Sequence, residues 1–99
     1  MITGPQCGAA RVLVEITVGR LASRSGVDRR IIEKFEQKLD EPSPEIVMTL
    51  KKTLEDLGAV FIEENGGGAG VRLKFTRADA KQISRMENEG GNWASNAVP

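Results

Sequence analysis

The chain has 99 residues, and its 14 Lys and Arg offset its 14 Asp and Glu, with a sequence pI near 6.3. A chain of this length fits one small domain whose core can fold without staples. With a single cysteine, Cys7, and no histidine, neither a disulfide framework nor a zinc site can be assembled within one chain, and the usual acid–base and nucleophilic sets are missing. No enzyme activity, metal or cofactor is therefore expected.

Charge distribution says more than net charge. Between positions 11 and 38 the basic residues Arg11, Arg20, Arg24, Arg29, Arg30, Lys34 and Lys38 outnumber Glu15, Asp28, Glu33 and Glu36. Between Asp40 and Glu64 the balance reverses, with only Lys51 and Lys52 against seven acids. Neutral net charge alone gives no support for nucleic-acid binding, but the first half is locally positive. A lone cysteine and the lack of a leader or long apolar run at the start give a reducing, cytoplasmic setting with no membrane as the expectation.

In chain order, Thr3 is expected to cap a first helix, with Pro5 in its first turn and Cys7, Ala10, Leu13 and Val14 as its apolar face. Cys7 reads as a small core residue. Thr17 caps a second helix, in which Leu21 and Ala22 face inward. Gly26 can take the left-handed conformation that stops this helix. Asp28 can accept from the free N–H groups that open a third helix over about 29–37, where Ile32 and Phe35 face inward. Two short helices meeting at such a turn read as a helix-turn-helix, although an ordinary helical hairpin would share the glycine and the apolar pairs.

After the loop 38–42, Ser43 and Pro44 open a fourth helix, with Ile46, Val47, Leu50, Leu54 and Leu57 on one face and Gly58 at its end. The period then changes to that of strands at 59–63 and 71–75, joined by the Gly-rich 65–70. A phosphate-binding loop would lead into a helix, and this one leads into a strand, so it reads as a hairpin loop. Thr76 and Asp79 suggest a capped last helix to about Glu89, with the thin apolar side Ala80, Ile83 and Met86. The final stretch 90–99, including Trp93, reads as a disordered tail.

The residues Leu21-Ala22, Gly26-Val27, Ile32, Phe35 and Glu36 stand in the register of Cro/C1-type helix-turn-helix transcription regulators (the XRE family), and the chain resembles that family from Thr3 to about Leu57. Gly58 to Leu73 is similar to the tail of alphaproteobacterial-looking members, of the form Gly-Val-Glu-Phe-Ile, a Gly-rich loop, then Gly-Val-Arg-Leu. The resemblance implies a mainly α fold: a four-helix, lambda-repressor-like helix-turn-helix domain over 1–58, a β-hairpin over 59–75 packed on it or extending it, and a short C-terminal helix over 76–89. It also implies a structural ion pair between Arg11 and Glu36.

A helix that enters the major groove offers long polar side chains from its first turns. Arg29, Arg30 and Lys34 point away from Ile32 and Phe35 and match the family's base-reading places. Arg can pair bidentately with guanine, and Lys can reach the same acceptors or a phosphate. Arg24, Lys38 and Thr17 are candidate phosphate contacts. The implied function is a transcription regulator that binds operator DNA as a homodimer.

Four departures point another way. Val18 replaces a phosphate-binding Gln, Glu15 replaces a common Gly, and Asp40 and Glu41 fall in a loop that is often basic in the family. Lost phosphate contacts and added carboxylates weaken DNA affinity and its salt dependence. The alternative expectation is a helix-turn-helix derivative impaired in DNA binding that binds another transcription factor, as an antiactivator or co-regulator. Leu73 and Phe75 on an edge strand, or Ile83 and Met86 on the last helix, would then form the partner or dimer surface.

Overall fold

Four helices are followed by one antiparallel hairpin in the computed structural model, which describes residues 1–75. They are α1 (Gly4–Leu13), α2 (Val18–Ser25), α3 (Arg29–Glu36), α4 (Pro44–Asp56), β1 (Ala59–Ile62) and β2 (Gly70–Leu73). The helix and tail expected over 76–99, with Ile83, Met86 and Trp93, lie outside the described residues.

Each helix begins on a side-chain cap. Thr3 accepts from the Gln6 N–H while the Gln6 side chain accepts from the Thr3 N–H, a reciprocal box at the start of α1. Thr17, Asp28 and Ser43 accept from the N–H groups of Arg20, Arg30 and Ile46. Gly26, at φ 78°, ends α2 in the left-handed conformation, and its N–H donates to the Ala22 carbonyl. At the end of α3 that conformation falls to Lys38, at φ 62°. The Lys38 and Leu39 N–H groups turn back to the Phe35 and Lys34 carbonyls, closing a Schellman-type stop.

Isolated helices as short as α2 and α3 are unstable in water, so tertiary burial holds them. Phe35, Leu21, Ile32, Leu50, Leu54, Val47 and Cys7 are fully buried, and Ile2, Ala10, Val27 and Ala59 complete the core. Burying each large side chain contributes about 1.5–3 kcal/mol relative to leaving it in water. Helices α3 and α4 each pack against both α1 and α2. Leu13 departs from expectation: it is 38% exposed, at the last turn of α1, and Val14 beyond it packs on the core instead. The α1 spiral carries Cys7 and Ala10 inward, and this turns Val12 and Leu13 outward.

Both strands are shorter than their apolar patterns suggest. The register pairs Ala59 with Leu73, Val60 with Arg72, Phe61 with Val71 and Ile62 with Gly70. Ala59, Phe61, Val71 and Leu73 share one face. Ala59 enters the core, and Phe61 and Val71 pack against it. The hairpin lies on α1, with β1 also touching α4. Its far end is fastened by Gln6, whose Nε2 donates to the Gly70 carbonyl at 2.8 Å and the Ile62 carbonyl at 3.3 Å.

Candidate nucleic-acid interface

The exposed side of α3 follows from its buried side. Ile32 and Phe35 are fully packed, which leaves Arg29, Arg30 and Lys34 in solvent. Arg30 and Lys34 are four residues apart and form one outward stripe. Asp28 shapes the approach to this stripe, because its carboxylate bonds the Arg30 N–H at 2.7 Å and sets where α3 starts.

Arg29 occupies a different position from the other two. Its Nε lies 3.1 Å from Glu33 Oε2, an ion pair one helical turn long and largely in solvent. A methyl group placed on Gly19 would lie 3.8 Å from Thr17 Oγ1 and 4.0 Å from Arg29 Nη1. The Arg29 guanidinium, the Thr17 hydroxyl and the opening turn of α2 therefore converge. The first N–H groups of α2 have no carbonyl partner within the helix and carry its positive dipole end. Glu33 and Gly19 were not among the sequence-level candidates. The four-residue spacing from Arg29 to Glu33 is a signal that could have found the ion pair, whereas Gly19 matters only through packing between the two helices.

Arg24, in the last turn of α2, and Lys38, just past α3, are both exposed. Asp40 and Glu41 are exposed too, so their carboxylates face solvent close in sequence to Lys38. Val18 is half-buried and packs against the core. Glu15 is exposed with φ 61°, the left-handed backbone that a side chain with a Cβ adopts at a cost of about 1–2 kcal/mol. Ser25 is half-buried; its hydroxyl donates to the Leu21 carbonyl and accepts from the Val27 N–H.

Behind α3, Arg11 and Glu36 form a bidentate pair. Arg11 Nε and Nη2 donate to the two Glu36 carboxylate oxygens at 2.9 and 3.0 Å. Nη1 donates to the Ile16 carbonyl at 3.1 Å, so one guanidinium ties α1, the α1–α2 turn and the end of α3 together. The bond to Glu36 pushes the Arg11 pKa up, against an opposing effect of burial. Cys7 lies beside this pair, its Sγ 3.9 Å from Glu36 Oε2. Burial first, and then the Glu36 charge, push the thiol up to about 12. The protonated thiol at neutral pH is a poor nucleophile.

Leu73 is half-buried in β2, and Phe75 is 45% exposed just beyond the strand. Among the described residues no cluster of His, Cys, Asp and Glu is arranged to hold a metal ion, and no helix is long and apolar enough to cross a membrane. No protein-family model matches the chain, and a search of curated proteins finds no match.

Proposed function

We propose that this chain is a transcription regulator on a helix-turn-helix scaffold of Cro/C1 type, binding operator DNA as a homodimer in the cytoplasm. The observation that carries this reading is the solvent-facing stripe of Arg30 and Lys34 on α3, with Arg29 beside the N-terminus of α2. In this reading α3 lies in the major groove, Arg30 meets a guanine edge, and Lys34 meets a base or phosphate. Arg29, Thr17 and the first N–H groups of α2 face the phosphate backbone, with Arg24 and Lys38 at its margins. Two copies would address half-sites about 34 Å apart, one turn of the duplex.

The test is a titration against fragments of the protein's own upstream region at two salt concentrations. The expected result is salt-sensitive binding that is lost in Arg29→Glu/Arg30→Glu/Lys34→Glu. Unchanged affinity in that triple variant rejects the groove-reading role.

A second reading is favoured by Val18, Asp40 and Glu41. Val18 is turned toward the core rather than available to a phosphate, and the two carboxylates stand in solvent after Lys38. A protein with these features that has given up DNA would bind another transcription factor as an antiactivator or co-regulator. A slope near zero for log affinity against log salt, together with recovery of a protein partner, selects this reading over the first.

A further inference from the structure

The loop that joins β1 to β2 is built around one carboxylate. Glu64 Oε2 accepts from the Gly66 N–H at 3.3 Å and from the Gly68 N–H at 3.1 Å. Gly66 and Gly68 sit at φ 101° and 90°, angles that glycine adopts freely and that let both N–H groups meet one oxygen. Asn65 lies in the middle of this turn, exposed like every residue over 62–69. Its Oδ1 is 3.8 Å from where a Cβ would stand on Gly67, so the carboxamide is turned forward over the peptide units that follow it. Of the four asparagines, Asn65, Asn88, Asn92 and Asn96, only Asn65 precedes a glycine. Gly66 has no Cβ to keep its nitrogen from the Asn65 carboxamide carbon, and the space where a Cβ would point is open.

We propose that Asn65–Gly66 is a self-modifying site that converts to aspartate and isoaspartate at a rate set by Glu64. The Gly66 nitrogen gives up its proton to base and attacks Asn65 Cγ. The new N–Cγ bond closes a five-membered succinimide. The Cγ–Nδ2 bond breaks, and the departing group takes up a proton and leaves as ammonia. Water then opens either carbonyl of the ring, which leaves an ordinary aspartyl link or an isoaspartyl link through the side chain. Glu64 opposes the first step, because its carboxylate holds the N–H that must be lost. That bond is long and belongs to an exposed side chain, so a change of Glu64 rotamer frees the nitrogen. Conversion takes the net charge from zero to one negative and sets a third acid beside Glu63 and Glu64. The isoaspartyl product also puts Cβ of residue 65 into the main chain, inside the turn that seats the Glu64 carboxylate.

DNA plays no part in the test. The full chain is held for several weeks at neutral and at mildly alkaline pH and then digested with trypsin. Cleavage after Lys52 and Arg72 isolates the peptide 53–72, in which Asn65 is the one amide side chain. The expected result is a gain of one mass unit in that peptide, faster at the higher pH. Isoaspartate within it is scored by enzymatic methylation of the free α-carboxylate from S-adenosylmethionine. Glu64→Ala, at an exposed loop position, is expected to convert several-fold faster than the wild type in the native chain and to keep little of that advantage in urea. A peptide 53–72 that keeps its mass overturns the site. A Glu64→Ala chain no faster than the wild type, or one equally accelerated in urea, overturns the control by Glu64.

Discussion

The Gln6 side-chain amide donates to the Gly70 carbonyl 64 residues away, and through the same nitrogen to the Ile62 carbonyl, so the first helix holds the loop end of the hairpin. Gln6 is only 8% exposed, and its oxygen is occupied by the Thr3 N–H. Replacing it with Leu removes half of the α1 capping box and both strand contacts. The expected loss is about 1–3 kcal/mol in urea denaturation. Faster amide exchange at Val60 and Arg72 should accompany it.

The Arg11–Glu36 pair should behave as a coupled unit. Both side chains are largely buried, so Arg11→Met or Glu36→Gln alone leaves a charge or a polar group without its partner, at a cost of about 3–5 kcal/mol. The double variant should lose much less than the two singles together. A double-mutant cycle with no coupling energy would contradict this.

Cys7 gives a pH dependence of definite sign. Its thiol is raised from 9.0 to about 12 by burial and by Glu36, so the folded state keeps a proton that the unfolded chain gives up. That stability is fully present below pH 9 and is lost as pH rises toward 12. Relative to Cys7→Ala, the wild type should lose stability, on the order of 1 kcal/mol, between pH 7 and pH 10. Denaturation curves of both proteins at those two pH values measure the difference.

Two backbone positions should respond in opposite directions. A Cβ at Gly4 would run into the Phe35 carbonyl oxygen, part of the α3 backbone, so Gly4→Ala must push α1 off α3. Its expected cost is about 1–3 kcal/mol. Glu15→Gly relieves the left-handed strain and is expected to stabilise the fold by about 1 kcal/mol. Thermal melts of the two variants should therefore move to either side of the wild type.

Glu33 competes with any anion for Arg29. Under the DNA-binding proposal, Glu33→Gln should tighten binding several-fold by freeing the guanidinium and removing a carboxylate from the approach. The salt slope should become steeper. Binding that is weaker in this variant would place Glu33 itself in contact with the partner.

Local chemistry made the caps, the helices and the hairpin readable from the sequence alone. Thr3, Thr17, Asp28 and Ser43 satisfy the first N–H groups of the helices that follow them, and Gly26 supplies the positive φ after α2. The apolar spacing of Ile32 and Phe35 likewise determined which side of α3 meets solvent, and hence that Arg29, Arg30 and Lys34 are exposed. Those signals act over three or four residues. What only the tertiary structure decided depends on groups far apart in the chain: the outward turn of Leu13, the tie from Gln6 to Gly70, and the approach of Arg29 to Thr17 and Gly19. Helix periodicity sets a direction for each side chain, but the angle at which two elements cross sets what that side chain touches.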